Sequence, residues 1–93
     1  MDEALTRDIE TAARILKEAG ATEVYLFGSA ATGEPRPESD IDLAVRGIPP
    51  EHYFKAGGKV MLAVARPVDI VDLDSPTPFT DYLIRKRKLR RVG

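Results

Sequence analysis

Two aspartates interrupt an apolar run at residues 40–45, which read DIDLAV. Residues 41–45 predict a β-strand, and side chains two residues apart along a strand project from the same face, with Cα atoms about 6.5–7 Å apart. Asp40 and Asp42 would therefore lie side by side. Their like charges repel unless a cation lies between them, and hard divalent cations such as Mg²⁺ prefer carboxylate oxygens. The sequence therefore predicts a strand that carries a metal site, with two ions bridged by the carboxylate pair.

A third aspartate, Asp69, lies in the apolar stretch PVDIVDL at residues 67–73. Its apolar neighbours on both sides make a solvated carboxylate unusual at that position. If this stretch forms a strand beside residues 41–45, Asp69 would complete the metal site. Asp72 and Asp74 lie at the end of the stretch and beyond it, and we interpret them as solvated turn carboxylates.

A Gly-Ser pair, Gly28-Ser29, directly follows the β-rich stretch EVYLF at residues 23–27. A glycine after a strand allows a ligand to approach the backbone closely. Ser29 suits the start of a short helix through residues 30–32, whose backbone N–H groups would bind phosphate. The pair alone is a weak signal, and its spacing to the two aspartates strengthens it.

Three segments with helical periodicity alternate with these strands. Apolar residues at steps of three and four predict an amphipathic helix over residues 5–19, followed by a glycine. A second helix is expected from residues 49–51 to about residue 65, and a short third helix within residues 75–88. LRRV at 89–92 suits a small edge strand. The order predicts an α/β (α+β) fold, a small mixed β-sheet with helices packed on one face.

The length and composition of the chain bound its class. Its 93 residues suffice for one core, so residues 1–93 are expected to form a single domain. The sequence has no cysteine, which excludes disulfides and thiolate zinc sites. No apolar run approaches the ~20 residues of a membrane span, and we expect a cytoplasmic protein. Tyr25, Phe27, Tyr53 and Phe54 fit the apolar patterns and are expected in the core.

Two further segments leave their roles open. The connection between the first two strands, residues 28–39, is longer than most loops and too long for a tight hairpin, which is typical of functional loops. Residues 85–91, RKRKLRR, carry six of the fourteen Lys and Arg residues. This basic run suits either a solvated helix end or a contact with nucleic acid or an acidic partner.

The spacing of these motifs resembles a known family. Gly28-Ser29, ten intervening residues, then Asp40-Ile41-Asp42 is similar to the signature of the DNA polymerase β-type nucleotidyltransferase superfamily. The wider stretch FGSAATGEPRPESDIDLAV most resembles its minimal nucleotidyltransferases, the MntA-like antitoxins. PVDIVDL supports the resemblance, and the last fifteen residues add little to it.

The resemblance implies the polymerase β-like nucleotidyltransferase fold and transfer of a nucleoside monophosphate, commonly AMP from ATP, with release of pyrophosphate. It implies that Asp40, Asp42 and Asp69 are catalytic and hold the Mg²⁺ ions, or Mn²⁺ in their place. Small members are usually encoded beside a HEPN protein. The resemblance therefore implies an antitoxin that modifies a HEPN-type toxin partner with AMP. The sequence leaves the oligomeric state open, with a homo- or a hetero-oligomer as the alternatives.

The same resemblance assigns nucleotide contacts. Gly28 and Ser29 match the turn that holds the triphosphate, and Ser39 matches a serine that touches the nucleotide in some members. One position departs from the family pattern, because Thr32 stands where members often carry an arginine that contacts phosphate. Loss of a guanidinium removes a strong bidentate phosphate contact, which Arg36 could replace.

Two other functions stay open, and the missing arginine supports the first of them. One alternative is a non-catalytic binding module that neutralises a partner by contact, through the basic C-terminal helix or an exposed apolar face. Another is nucleotidylation of a small molecule, as in relatives that usually carry an additional domain.

Overall fold

The computed structural model describes residues 3–28 and 40–93, in which helices and strands alternate along the chain. The elements are α1 (Glu3–Glu18), β1 (Glu23–Phe27), β2 (Ile41–Arg46), α2 (Pro50–Ala63), β3 (Val68–Asp72), α3 (Pro78–Arg85) and β4 (Arg90–Arg91). The predicted order is confirmed, and the predicted edge strand shortens to the two residues of β4. The fold prediction of three helices with a small mixed sheet is therefore correct.

The four strands of the described residues form one sheet in the order β3-β2-β1-β4. β1 pairs antiparallel with β2 and with β4, whereas β2 pairs parallel with β3. Although the connection is too long for a tight hairpin, β1 and β2 are direct antiparallel neighbours. Residues 29–39 of that connection lie outside the described residues. The mixed pairing places the start of β2 beside both the end of β1 and the start of β3.

Local sequence explains where the helices begin and end. The apolar stripe of α1 is buried along its length, and the chain leaves the helix through Gly20, whose φ of 119° favours glycine. Thr77 caps α3: its Oγ1 accepts a hydrogen bond from the backbone N–H of Thr80 at 3.1 Å, while its own N–H donates to Thr80 Oγ1 at 2.8 Å. This reciprocal pair satisfies donors that a helix start otherwise leaves free.

The sheet has an apolar cluster on each face. The larger cluster joins α1 and α2 to inward-facing strand residues, among them Val24, Leu26, Ile41, Leu43, Val45 and Val68. The smaller cluster on the other face contains Phe27, Ala44, Leu73 and Leu83. Leu83 belongs to α3, so the prediction of helices on one face holds for α1 and α2 and is wrong for α3. Helical spacing shows that α3 is amphipathic, but it does not determine which face of the sheet receives it.

One core prediction is also wrong. Phe54 fits the helical spacing of α2, yet its side chain is 86 % exposed, and Leu62 on the same helix is 91 % exposed. Ala56 and Val60 are the buried residues of α2, because the helix turns this side toward α1 and the sheet. No transmembrane helix is present among residues 3–28 and 40–93, since each helix there is too short or too polar to span a bilayer.

Candidate active site

The parallel pairing of β2 and β3 brings two of the predicted aspartates together. Asp42 and Asp69 are directly opposite each other in the strand register. Their neighbours Ile41 and Leu43 belong to the larger cluster, and Ile70 packs against it. Because side chains alternate along a strand, both carboxylates project from the other face of the sheet, the one that carries the smaller cluster. The predicted juxtaposition of Asp42 and Asp69 is therefore present.

Asp40 lies immediately before β2, which begins at Ile41. Its side chain is exposed, as is that of Asp69, whereas Asp42 is half-buried. The predicted strand at residues 41–45 agrees with this position of Asp40, whereas the exposure of Asp69 corrects the expectation that a solvated carboxylate is unusual there. Asp40 is nevertheless close enough to act electrostatically on Asp42. The three carboxylates therefore belong to one electronegative site.

The electrostatics of the site raise the pKa of Asp42 above its ordinary value. Burial is the largest cause, followed by the negative charges of Asp69 and Asp40 and by a hydrogen bond with Asp69. Each of these favours the protonated carboxyl. Within residues 3–28 and 40–93, the ion pairs Arg14–Glu18, Arg46–Asp74 and Arg66–Asp8 leave all three site aspartates without a cationic partner.

Gly28 follows β1 and lies against the Asp42 carboxylate. Phe27, the last residue of β1, is opposite Asp42 in the antiparallel register, so the next residue passes directly over the Asp42 side chain. Gly28 has a φ of 72°, and a Cβ atom there would overlap Oδ2 of Asp42 and lie 3.3 Å from its Cγ. Only glycine meets both conditions without strain. The close backbone approach that the sequence predicts at Gly28 is thus made to Asp42.

The donor chemistry of this site fits a hard cation. Asp42 and Asp69 offer several oxygen ligands in one place, and their like charges lack compensation. However, no cluster of three acidic, His or Cys side chains in the described parts of the chain is arranged to hold a metal ion. The predicted three-ligand group is therefore not assembled among these residues, although a hydrogen bond joins Asp42 to Asp69 and their like charges repel. A bound cation would remove that repulsion.

An aromatic cavity of about 310 Å³ adjoins the site at Gly28. Its lining is Phe27, Gly28, Phe79, Tyr82, Leu83 and Lys88. Phe79 and Tyr82 come from α3, and sequence reasoning did not place them here. The only signal was their spacing of three residues on an amphipathic helix, which does not reveal the face on which the helix packs.

A comparison with protein-family models matches residues 10–89 to the polymerase beta nucleotidyltransferase model. This range spans most of the chain, including the glycine, the three aspartates and the strands β1, β2 and β3 that join them. The chain belongs to the polymerase beta nucleotidyltransferase family. Comparison with curated protein sequences yields no significant match.

Solved structures with the same fold include minimal nucleotidyltransferases. One minimal nucleotidyltransferase is 26% identical and has a TM-score of 0.72, and the match covers 100% of this chain and 96% of that one. A toxin-antitoxin crystal structure with AMP-PNP is 25% identical with a TM-score of 0.69, covering 88% and 70% of the two chains. A tri-AMPylated Shewanella oneidensis HEPN toxin in complex with MNT antitoxin provides a chain that is 22% identical, with a TM-score of 0.65 and coverage of 92% and 69%. The last of these supports the fold alone.

The remaining predictions concern residues of the connection between β1 and β2 and two aspartates at and after the end of β3. Ser29 and Ser39 lie outside the described residues, as do Thr32 and Arg36, so their roles stay predictions. Asp74 is exposed and agrees with its interpretation as a solvated turn carboxylate, whereas Asp72 is the last residue of β3 and is half-buried. Asp72 accepts a hydrogen bond from the backbone N–H of Asp74 at 2.9 Å, and Asp74 accepts one from Gly47 at 2.7 Å.

Proposed function

We propose that this member of the family transfers AMP from ATP to an acceptor protein in a metal-dependent reaction. The observation that carries the proposal is the contact of Gly28 with Asp42, which stands in strand register with Asp69. A glycine backbone against a carboxylate pair suits a triphosphate held by the turn after β1. Ser29 and Ser39 are proposed as further nucleotide contacts.

In the proposed reaction, a hydroxyl oxygen of the acceptor attacks the α-phosphorus of ATP. The new bond joins that oxygen to the α-phosphorus, and the bond to the bridging oxygen of the β-phosphate breaks, so pyrophosphate leaves with the bonding electron pair. The hydroxyl proton passes to a carboxylate oxygen, for which exposed Asp69 is the candidate. Such a transfer depends on in-line positioning and charge stabilisation more than on covalent help from the protein.

Asp40, Asp42 and Asp69 are proposed as both catalytic residues and metal ligands. Mg²⁺ bound there, as two ions or with Mn²⁺ in its place, would neutralise the phosphate oxygens and align the reacting groups. The like charges and the raised pKa of Asp42 support this assignment, because a cation would compensate the carboxylates that the described residues leave uncompensated.

The proposed acceptor is a HEPN-type toxin, which would make this chain an antitoxin. The support comes from the resemblance of residues 27–45 to the MntA-like antitoxins and from a 25% identical structural neighbour, a toxin-antitoxin with AMP-PNP. The complex that contains a tri-AMPylated HEPN toxin shares the fold. A cytoplasmic location is part of the same proposal.

The test is transfer of label from α-labelled ATP to proteins in lysate of the native host. Wild type is compared with an Asp40→Ala, Asp42→Ala double variant, with Mg²⁺ present and then chelated. A Glu10→Ala, Glu51→Ala variant is the matched control, since it makes the same change in net charge at two exposed helix positions. We expect a labelled protein band with wild type and control only, and at least about a 10³-fold loss in the double variant.

A non-catalytic binding module is the second candidate, and one observation favours it. Phe54, Met61 and Leu62 expose an apolar surface on α2, and exposed apolar patches often mark protein contacts. This candidate predicts no label transfer, together with equal recovery of the same partner by wild type and by the Asp40→Ala, Asp42→Ala variant. That pair of results would contradict the enzymatic proposal.

A further inference from the structure

The aromatic cavity adjoins the proposed catalytic site at Gly28. Gly28 contacts the Asp42 carboxylate and also lines the cavity. A ligand that reaches the carboxylates can therefore extend into the cavity without crossing the sheet. The volume of about 310 Å³ lies at the lower end of the range for small-molecule sites, roughly 300–1,000 Å³.

The lining of the cavity suits a flat ring. Phe27 and Phe79 meet edge to face, with ring centroids 5.7 Å apart and an angle of 66° between the rings. Phe79 is 48 % exposed and Tyr82 is 42 % exposed, so α3 offers two large aromatic side chains that its own packing covers only in part. Nucleobases stack on such side chains with little dependence on base identity.

Lys88 adds a cation at the rim. Its backbone N–H donates to the carbonyl of Leu83 at 2.9 Å, which fixes the chain after α3. Among the described residues its ammonium is in no ion pair. An ammonium in this position would attract an anionic ligand and donate hydrogen bonds to a ring nitrogen or a sugar oxygen.

We propose that this cavity holds the base of the nucleoside triphosphate, with Tyr82 and Phe79 as stacking residues and Lys88 at its rim. The inference rests on the proposed function, because it needs a triphosphate at Gly28 and Asp42. It adds a source of affinity separate from the phosphates.

The test compares two ligands that share the triphosphate but differ in the base. Binding of ATP and of inorganic tripolyphosphate is measured by calorimetry at one Mg²⁺ concentration. The proteins are wild type, Tyr82→Ala, the Phe79→Ala, Tyr82→Ala double variant and a Phe54→Ala control, which removes an exposed aromatic side chain from α2. Thermal unfolding of each variant checks that the fold is intact.

We expect Tyr82→Ala to weaken ATP binding by about five- to hundredfold, the range for loss of one stacked base. The affinity of Tyr82→Ala for tripolyphosphate should equal that of wild type. Phe54→Ala should change the affinity for neither ligand. Tyr82→Phe should bind ATP almost as wild type does, because the ring is kept. Should the double variant unfold, Tyr82→Ala and Tyr82→Phe still provide the comparison.

Different results overturn the inference in distinguishable ways. Equal losses of ATP and tripolyphosphate affinity, or no loss of ATP affinity in Tyr82→Ala, would overturn the base site and leave the proposed function standing. If Tyr82→Ala transfers AMP more slowly at saturating ATP but binds ATP as tightly as wild type, the base site is also overturned. The cavity would then be assigned to the acceptor. Failure of wild type to bind either ligand with Mg²⁺ would overturn both proposals.

Discussion

At Gly28, both the backbone conformation and the contact with the proposed catalytic residue Asp42 require a residue without a side chain. Its φ of 72° and its contact with Asp42 both exclude a side chain. We expect Gly28→Ala to lower the free energy of unfolding by about 1–3 kcal/mol, the cost of a strained backbone position, and to abolish Mg²⁺-dependent ATP binding because Asp42 must move. Urea denaturation and calorimetry measure the two effects. An intact ATP affinity would show that the contact has no role in binding.

Asp42 gives a second prediction at this scale, because burial and its acidic neighbours raise its pKa above the unfolded value. A raised folded-state pKa adds stability below the unfolded pKa, and this contribution disappears as pH rises through the folded pKa. In chelator at neutral pH, Asp42→Asn should therefore melt at a higher temperature than wild type, and the advantage should shrink toward acid pH.

Mg²⁺ should reverse the order of the two proteins. A ligand that binds only the folded state stabilises it by about 2.7 kcal/mol at one hundred times its dissociation constant. Wild type should gain melting temperature with Mg²⁺, while Asp42→Asn should gain little. If the variant melts lower than wild type in chelator at neutral pH, the like-charge account of this site is wrong.

At the scale of elements, α2 carries two glycines that its own packing does not explain. A Cβ atom at Gly57 or Gly58 would meet no atom within 4 Å outside its chain neighbours and the backbone of the helix, and neither residue has a positive φ. Alanine is favoured over glycine in a helix interior by about 1 kcal/mol. We expect Gly58→Ala to raise the free energy of unfolding by roughly this amount in urea titrations, with a similar gain for Gly57→Ala. A loss of stability would reveal a contact that the fold alone does not require.

Tyr53 joins α2 to the edge strand β3, since its hydroxyl donates a hydrogen bond to the carbonyl of Ile70 at 2.7 Å. Burial, and to a lesser extent the charge of Asp72, raise the pKa of Tyr53 above 10.0. The stabilising contribution of the hydroxyl is therefore present below pH 10 and disappears as pH rises through the folded-state pKa.

Tyr53→Phe should accordingly lower the free energy of unfolding by about 1 kcal/mol at neutral pH. The difference from wild type should narrow above pH 10, where deprotonation removes the donor in wild type as well. Urea titrations between pH 7 and pH 11 measure both. A difference that stays constant across that range would contradict the role of this hydrogen bond.

The elements themselves could be predicted from local patterns, and their packing could not. The helix α1 and the strands β1 and β2 can be recognised from the spacing of their apolar residues, because each element turns one face to the core. Phe54 shows the limit of this reasoning. It lies among apolar residues of α2, but the buried side of the helix is set by α1 and the sheet, which the local sequence does not contain. The side of the sheet that receives α3 depends on the same long-range packing.

At the scale of the whole molecule, the candidate site lies on the face of the sheet opposite the larger cluster. One face packs against α1 and α2 in the larger cluster, and the other carries Asp42, Asp69 and the aromatic cavity. Sequence spacing identified the aspartates because carboxylates are rare within apolar strands. It could not fix the register that sets Asp42 opposite Asp69, since that pairing joins residues far apart in the chain.

The most direct test of the central claim is the rate of AMP transfer to the labelled acceptor in Asp69→Asn and Asp72→Asn variants. Both aspartates lie on β3, but Asp72 projects from the opposite face and accepts hydrogen bonds in the following turn. We predict that Asp69→Asn loses at least about 10³-fold in rate, while Asp72→Asn keeps the wild-type rate. Transfer by Asp69→Asn at the wild-type rate would contradict a catalytic centre at the Asp42–Asp69 pair.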